Sequence, residues 1–489
     1  MIETSTSTET GRAAPDDGHG AAWRPDPETL ATLRRELRGE VCLPGEPGYE
    51  QARTIWNAMI DRRPGAVIRA AAAADVVRAV ELARDRGLRL SIRGGGHHIA
   101  GNAVCEGGLM LDLTPMKAVR IDAAARTARA EPGVVLGELD QAAQAHGLAT
   151  PLGINSTTGI AGLTLGGGFG WLSRKHGLTV DNLLSADVVL ATGEQVRASE
   201  RENAELFWAL RGGGGNFGVV TSFEYRLHPV GPQVLAGLVV HPFSSAKQVL
   251  RGYREAARRA PDDLTCWVVM RKAPPLPFLP PEVHGQEVLV LAVCYVGPPE
   301  GGEAAVAPFR ALGQPIADVI GPAPFTAWQQ AFDPLLTPGR RNYWKSHDLL
   351  DLGDASIELL TSSAGRLPSP ECEVFVAQLG GAVNRVAPTA TAYPHRDVAF
   401  VVNVHTRWGD PSEDRTCVGW ARDLFARLAP YATGGVYVNF MPEDEAQRVS
   451  LGAYGPNYER LARLKARYDP ENLFRQNQNI QPARVAADG

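Results

Sequence analysis

The sequence predicts an α+β fold in two lobes, and three observations carry that expectation. Its 489 residues exceed what one hydrophobic core usually supports, so two domains are the default. Between residues 66 and 113, strand-like runs, a helical run and a glycine loop follow one another in the order used by α/β nucleotide-binding units. From 236 to 445 strand-like runs dominate, with helical runs between them. That is the pattern of an antiparallel sheet covered by helices on one side.

The elements follow in order. Residues 1–25, rich in Ser, Thr, Gly and Asp, read as a disordered tail. Residues 27–60 read as helix and loop. Val67–Arg69 is a short strand. Asp75 is placed as N-cap of a helix over Val76–Arg86, with Val76, Val77, Val80 and Ala83 on one face and Gly87 as its stop. Leu88–Ile92 is a strand leading into the glycine loop, and Leu109–Leu113 is another. Glu138–His146 reads as a short helix and Asp187–Ala191 as a buried strand. Ser199 is placed as the cap of a helix over Glu202–Arg211, and Val219–Leu227 alternates like a strand.

Composition shifts at His228-Pro229-Val230-Gly231-Pro232, where a domain boundary is expected. Strands are expected over Val234–His241, Thr265–Met270, Val288–Tyr295, Glu373–Gln378, Ala399–Arg407 and Gly435–Phe440. Helices are expected near 245–259, 302–312 and 413–428, and a last one over Pro456–Tyr468. The proline-rich loops Pro274–Pro281 and Pro388–Pro394 read as surface. The organisation is thus 26–230 for one lobe, 231–449 for the other, and 450–489 as a segment returning to the first.

Bulk properties exclude several classes. A net charge of −5 argues against nucleic acid or anionic membrane as partner. No apolar run is long enough to span a bilayer. Six scattered cysteines show no metal-ligand spacing, so no metal site is expected, and free thiols fit a reducing cytoplasm.

Three glycine runs carry the chemistry. They are Arg93-Gly94-Gly95-Gly96-His97, the stretch Gly159-Ile160-Ala161-Gly162 leading to Gly166-Gly167-Gly168-Phe169-Gly170, and Gly212-Gly213-Gly214-Gly215-Asn216-Phe217-Gly218. Such runs let backbone N–H groups close around an anion, as a large phosphate-bearing ligand requires. Gly213-x-Gly215-x-x-Gly218 follows a helix and precedes a strand, the reverse of the dinucleotide-binding order. No GxxxxGK[ST], HExxH or GxSxG motif is present.

These runs, the block Pro151–Asn182 and the ending Tyr468-Asp469-Pro470-Glu471-Asn472-Leu473-Phe474-Arg475 resemble the FAD-linked oxidases of the vanillyl-alcohol-oxidase superfamily, in particular the berberine-bridge-enzyme-like branch. The resemblance is strong over about 45–230 and 450–482. It implies a two-lobed FAD-binding (PCMH-type) fold with the flavin between the lobes. It implies covalent attachment of FAD at His97. Many members add a second attachment through cysteine, but the matching residue here is Asn155, so a single bond is expected. Gly94, Gly95 and Gly96, with Arg93 beside them, would face the pyrophosphate, extended by Gly101 and Asn102. Thr158, Gly162, Gly166, Gly167 and Gly168 would lie along the ribityl chain and ring. Val219 and Val220 would pack near the cofactor, with Asn477 and Asn479 hydrogen-bonded to the ring. His98 would point elsewhere, and Ile160 would influence oxygen access.

The resemblance makes Tyr437 the first candidate for the base, with Tyr393, His395, Asn403 and His405 as others; alternation over 434–440 would put Tyr437 and Asn439 on one face. The activity implied is hydride transfer from a small organic alcohol, amine or natural-product intermediate to flavin, with O2 as acceptor giving H2O2. A flavin dehydrogenase using another acceptor and a flavoprotein that only sequesters a small molecule are the alternatives. Substrate identity and oligomeric state are left open.

Overall fold

The computed structural model describes residues 23–484, so the tail expected over 1–25 lies outside the described residues up to 22. Trp23 is held, its N–H donating to the Gly107 carbonyl at 2.9 Å.

The first lobe contains two sheets. Strands Glu40–Cys42, Ala66–Arg69, Leu109–Asp112 and Leu90–Arg93 lie side by side in that order, the last three parallel. Helix Ala73–Asp85 covers this sheet with Val76, Ala79, Val80 and Ala83, the one-face spacing of an amphipathic helix. Asp75 is inside the helix rather than at its cap. Its carboxylate, fully buried, accepts N–H groups from Arg38, Gly39, Ala71 and Ala72, tying a neighbouring turn to the helix start. The second sheet is antiparallel, in the order Val119–Asp122, Thr127–Ala130, Val219–Arg226, Leu183–Val189, Gln195–Ser199. The helix expected from Glu202 begins at Ala204 behind Asn203, while the Ser199 hydroxyl accepts the N–H groups of Arg201 and Glu202 one turn earlier.

The second lobe is built on an eight-stranded antiparallel sheet. Its main path runs Ala317–Asp318, Gln233–Pro242, Glu287–Tyr295, Leu264–Lys272, Glu373–Gln378, Phe400–Trp408, Arg341–Leu349. Period-2 alternation sorts its side chains. Cys266, Val268 and Met270 pack under helices Ala246–Arg259, Pro299–Arg310, Asp354–Ala364 and Asp414–Leu428. Trp267, Val269 and Arg271 face the other way, into a cavity. The strand Arg341–Leu349 and the helix Asp354–Ala364 were not expected. The strand expected at Gly435–Phe440 is absent: its second half, Val438–Phe440, is a single 3₁₀ turn. The last helix starts at Tyr458.

The two lobes are pinned together by polar contacts. Asn57 donates to the carbonyls of Ile99 and Asn342, both at 3.0 Å, and accepts the Asn342 N–H. Asp333 takes the N–H and hydroxyl of Ser156. Within the first lobe, Lys465 of the C-terminal helix reaches the Asn216 carbonyl at 2.8 Å and the Asp469 carboxylate at 2.6 Å, with both charged groups wholly buried. No described helix is long and apolar enough to cross a membrane.

Candidate active site

A cavity of about 380 Å³ lies where the glycine loops meet the open face of the large sheet. On one side it is bordered by Gly94, Gly95, Gly96, His97, Asn102, Asn155, Thr158, Gly162, Val219 and Val220, and by Asn477 from the C-terminal segment. On the other side stand Trp267, Arg271, Trp344, Glu373, Phe375, Asn403 and His405, with Tyr437 and Phe440 between.

Two loops build the cradle by backbone contact. Gly95 and Gly159 pack so closely that a β-carbon on either would meet the main chain of the other. The N–H groups of Gly95, Gly96, His97 and His98 find no protein acceptor among the described residues. A row of unpaired N–H groups at a cavity wall is suited to an anionic ligand. Gly162 and Gly215 also border the cavity, and a β-carbon on either would meet no protein atom within 4 Å. The residues present therefore fit a long phosphate-bearing cofactor such as FAD.

His97 stands at the rim of this cradle. Its ring stacks on Trp56 at 5.1 Å, with Nε2 3.1 Å from the Thr157 hydroxyl and Nδ1 3.4 Å from that of Thr158. Burial pushes its pKa down to about 3, so the imidazole is neutral. Asn155 turns its side-chain oxygen to the N–H and hydroxyl of Thr157. His98 borders the same cavity, contrary to expectation, with Nδ1 accepting the Ala100 N–H.

Tyr437 is buried in an aromatic group with Phe169 and Phe440, each 4.8 Å away between centroids. Its hydroxyl oxygen accepts the Gly168 N–H at 3.0 Å and Asn439 Nδ2 at 2.9 Å. Burial pushes the phenol up to about 12, and those two hydrogen bonds offset only part of the effect. Gly166, Gly167 and Gly168 leave room for this arrangement. A β-carbon would meet Asn439 at the first, Tyr393 and Tyr437 at the second, and Thr179 at the third. These three glycines were expected along the cofactor, but none of them borders the cavity.

Several other expected residues are placed elsewhere. Arg93 turns away, donating to the Ala52 carbonyl. Gly101 makes a turn against Ile60. Asn479 borders a separate polar cleft with Arg62, Arg89 and Glu443. Ile160 is wholly buried in the first-lobe core, whereas Ala161 and Gly162 face the cavity. Tyr393 and His395 lie behind Tyr437, outside the cavity, with His395 hydrogen-bonded to the Ala453 carbonyl.

Sequence reasoning missed Glu373, Arg271 and Trp344. Arg271 Nη1 is 2.9 Å from Glu373 Oε2, and Glu373 Oε1 is 3.2 Å from His405 Nδ1. Burial raises the Glu373 pKa, but the Arg271 charge and the His405 contact outweigh it and hold the carboxyl below its usual range. Burial lowers His405 below the usual histidine value against the pull of Glu373. At neutral pH the cavity thus holds a carboxylate beside a neutral imidazole, both able to accept a proton. The cysteines are all buried and unpaired. Among the described residues no cluster of His, Cys, Asp or Glu is arranged to hold a metal.

Comparison with known proteins agrees with this geometry. Residues 64–199 match the FAD binding domain family, and residues 436–481 match the berberine and berberine-like family. The chain is 32% identical over 463 residues to (R)-6-hydroxynicotine oxidase of Paenarthrobacter nicotinovorans, covering 91% of this chain and 97% of that one. It is 30% identical over 451 residues to an FAD-linked oxidoreductase of Dictyostelium discoideum, covering 91% and 95%. The crystal structure of 6-hydroxy-D-nicotine oxidase from Arthrobacter nicotinovorans superposes with a TM-score of 0.82 at 31% identity, over 91% of this chain and 98% of that one. With a glycine cradle, a two-lobed architecture and full-length relatives in agreement, the chain belongs to the berberine-bridge-enzyme-like branch of the FAD-linked oxidoreductases.

Proposed function

We propose that this chain is an oxidase of a small organic alcohol or amine, with O2 as electron acceptor and FAD held by one covalent bond at His97. The observation that carries the reading is the meeting, in one cavity, of the glycine cradle with His97 and the proton-accepting pair Glu373–His405. FAD, when bound, supplies the hydride acceptor and on reoxidation by O2 yields H2O2.

The protein's own groups do the rest. Neutral His97 keeps the ring lone pair that a bond to a cofactor carbon needs, and Trp56 fixes the ring plane. Asn155 has no sulfur to offer for a second bond. Oxidising a C–OH group to C=O releases one proton from oxygen in addition to the hydride. Tyr437, protonated near neutrality, is a poor acceptor for that proton. With two hydrogen bonds already accepted, its O–H serves as a donor that orients the substrate oxygen. Glu373 and His405 accept the proton. Phe169, Trp267, Phe375 and Phe440 exclude water from this region. The six unpaired cysteines support a reducing, cytoplasmic setting.

Acid precipitation tests the cofactor claim. Yellow colour should stay with the pellet, the intact mass should rise by one FAD, and both effects should vanish in His97→Ala. Colour in the supernatant would refute covalent attachment. Release of H2O2 on substrate addition tests the acceptor.

A further inference from the structure

One face of the large sheet changes character across its width. Strand register aligns Val288, Arg271, Glu373, His405 and Trp344 in one cross-strand row. The next row on the same face is Val240, Val290, Val269, Phe375 and Asn403. All ten border the cavity. The half of this face nearest Trp344 is polar, and the half ending at Val240 is aliphatic.

The aliphatic half has its own cover. The segment 274–279, expected to be a surface loop, folds back over it. Leu276, Phe278 and Leu279 complete a cluster with Val240, Val288 and Val290. The loop is pinned at its base, where Ala273 and Gln286 pair main chain to main chain, and at its tip, where His284 meets the Leu279 carbonyl. From the Glu373 strand to the Val240 strand are three inter-strand steps of roughly 4.8 Å, a gallery about 14 Å long.

The polar half carries no net charge. Arg271 is neutralised by Glu373, both nearly buried, and His405 is neutral. A charged substrate group would arrive without a counter-ion, at a high desolvation cost. The Asn403 amide has both its Oδ1 and Nδ2 buried and without a partner among the described residues. It offers one acceptor and one donor, the complement of a hydroxyl group.

We propose that the cavity is built to bind a lipophilic alcohol, which the oxidase reading makes the substrate. Its hydroxyl lies over Asn403 and the Glu373–His405 pair, and its apolar body extends beneath Leu276 and Phe278. This rests on the oxidase reading above, and binding separates the two claims. The holoenzyme is titrated anaerobically with straight-chain primary alcohols from butanol to dodecanol, and with glucose and cellobiose, by quenching of tryptophan fluorescence. Kd should fall about fourfold per added methylene and level off at the long end, with neither sugar binding. Leu276→Ser combined with Phe278→Ser should weaken dodecanol binding at least about tenfold and leave butanol binding unchanged. A Kd indifferent to chain length, sugars binding more tightly than dodecanol, or a double variant with wild-type affinity for dodecanol would each overturn the inference. Chain-length-dependent binding without flavin reduction would support this inference and refute the oxidase reading. Flavin reduction by a sugar, with no alcohol bound, would do the reverse.

Discussion

The hydroxyl oxygen of Tyr437 is 3.0 Å from the backbone nitrogen of Gly168, 269 residues earlier in the chain. This bond fixes the phenol against the glycine run and leaves its own proton free to be donated. Tyr437→Phe should strand the Gly168 N–H and leave Asn439 Nδ2 only its Leu163 carbonyl partner, costing about 1–3 kcal/mol of stability and lowering kcat. Urea unfolding with steady-state kinetics checks both effects. A variant of unchanged stability would mean that the bond is not formed in solution.

Glu373→Gln should lower kcat by about 10²- to 10⁴-fold, the usual range for a lost acid–base group. It also removes the group that raises the His405 pKa against burial, so His405 should titrate lower. The acid limb of the kcat/KM profile should therefore move to lower pH. A limb that stays in place would separate His405 from the reaction.

Lys465→Met should destabilise the chain by about 3–5 kcal/mol, because Asp469 would lose its counter-ion in a wholly buried site. The loss should appear as a lower urea midpoint and as weaker retention of the C-terminal segment against proteolysis.

His347 makes stability depend on acidity. It is buried, stacked on Phe425 at 4.1 Å, and burial pushes its pKa down to about 4 from an ordinary 6.5. A depressed folded-state value means that the unfolded chain binds the proton first as pH falls. Stability is then whole above about pH 6.5 and is lost towards pH 4, at about 1.4 kcal/mol per pH unit for this one group. Urea midpoints measured across that window should fall, and His347→Gln should flatten the slope.

The cradle was legible because its glycines are clustered in the chain, and the strands Val288–Tyr295 and Glu373–Gln378 because apolar side chains dominate them. Arg341–Leu349 was not legible. It buries Asn342, Lys345, Ser346, His347 and Asp348, and several of their partners, such as Glu445 for Lys345, come from distant parts of the chain. Tyr437 was singled out by resemblance, on an expected strand that is absent; the residue stands just before the turn Val438–Phe440. His405 was among the sequence candidates, but nothing local joined it to Arg271 and Glu373 in one trio. Its members are 102 and 32 residues apart and meet only through strand register. Asp75 shows the same limit on a smaller scale, since two of its four N–H partners, Arg38 and Gly39, come from a turn more than thirty residues earlier.

The burial of Lys465 against Asn216 also sets an order of events in time. Phe474, Gln476, Asn477 and Gln478 border the cavity made mostly by residues translated far earlier. The ribosome must deliver the chain through about residue 480 before that wall exists. Cofactor capture is then a late event that follows synthesis, and nascent chains halted short of the C-terminal helix would emerge colourless.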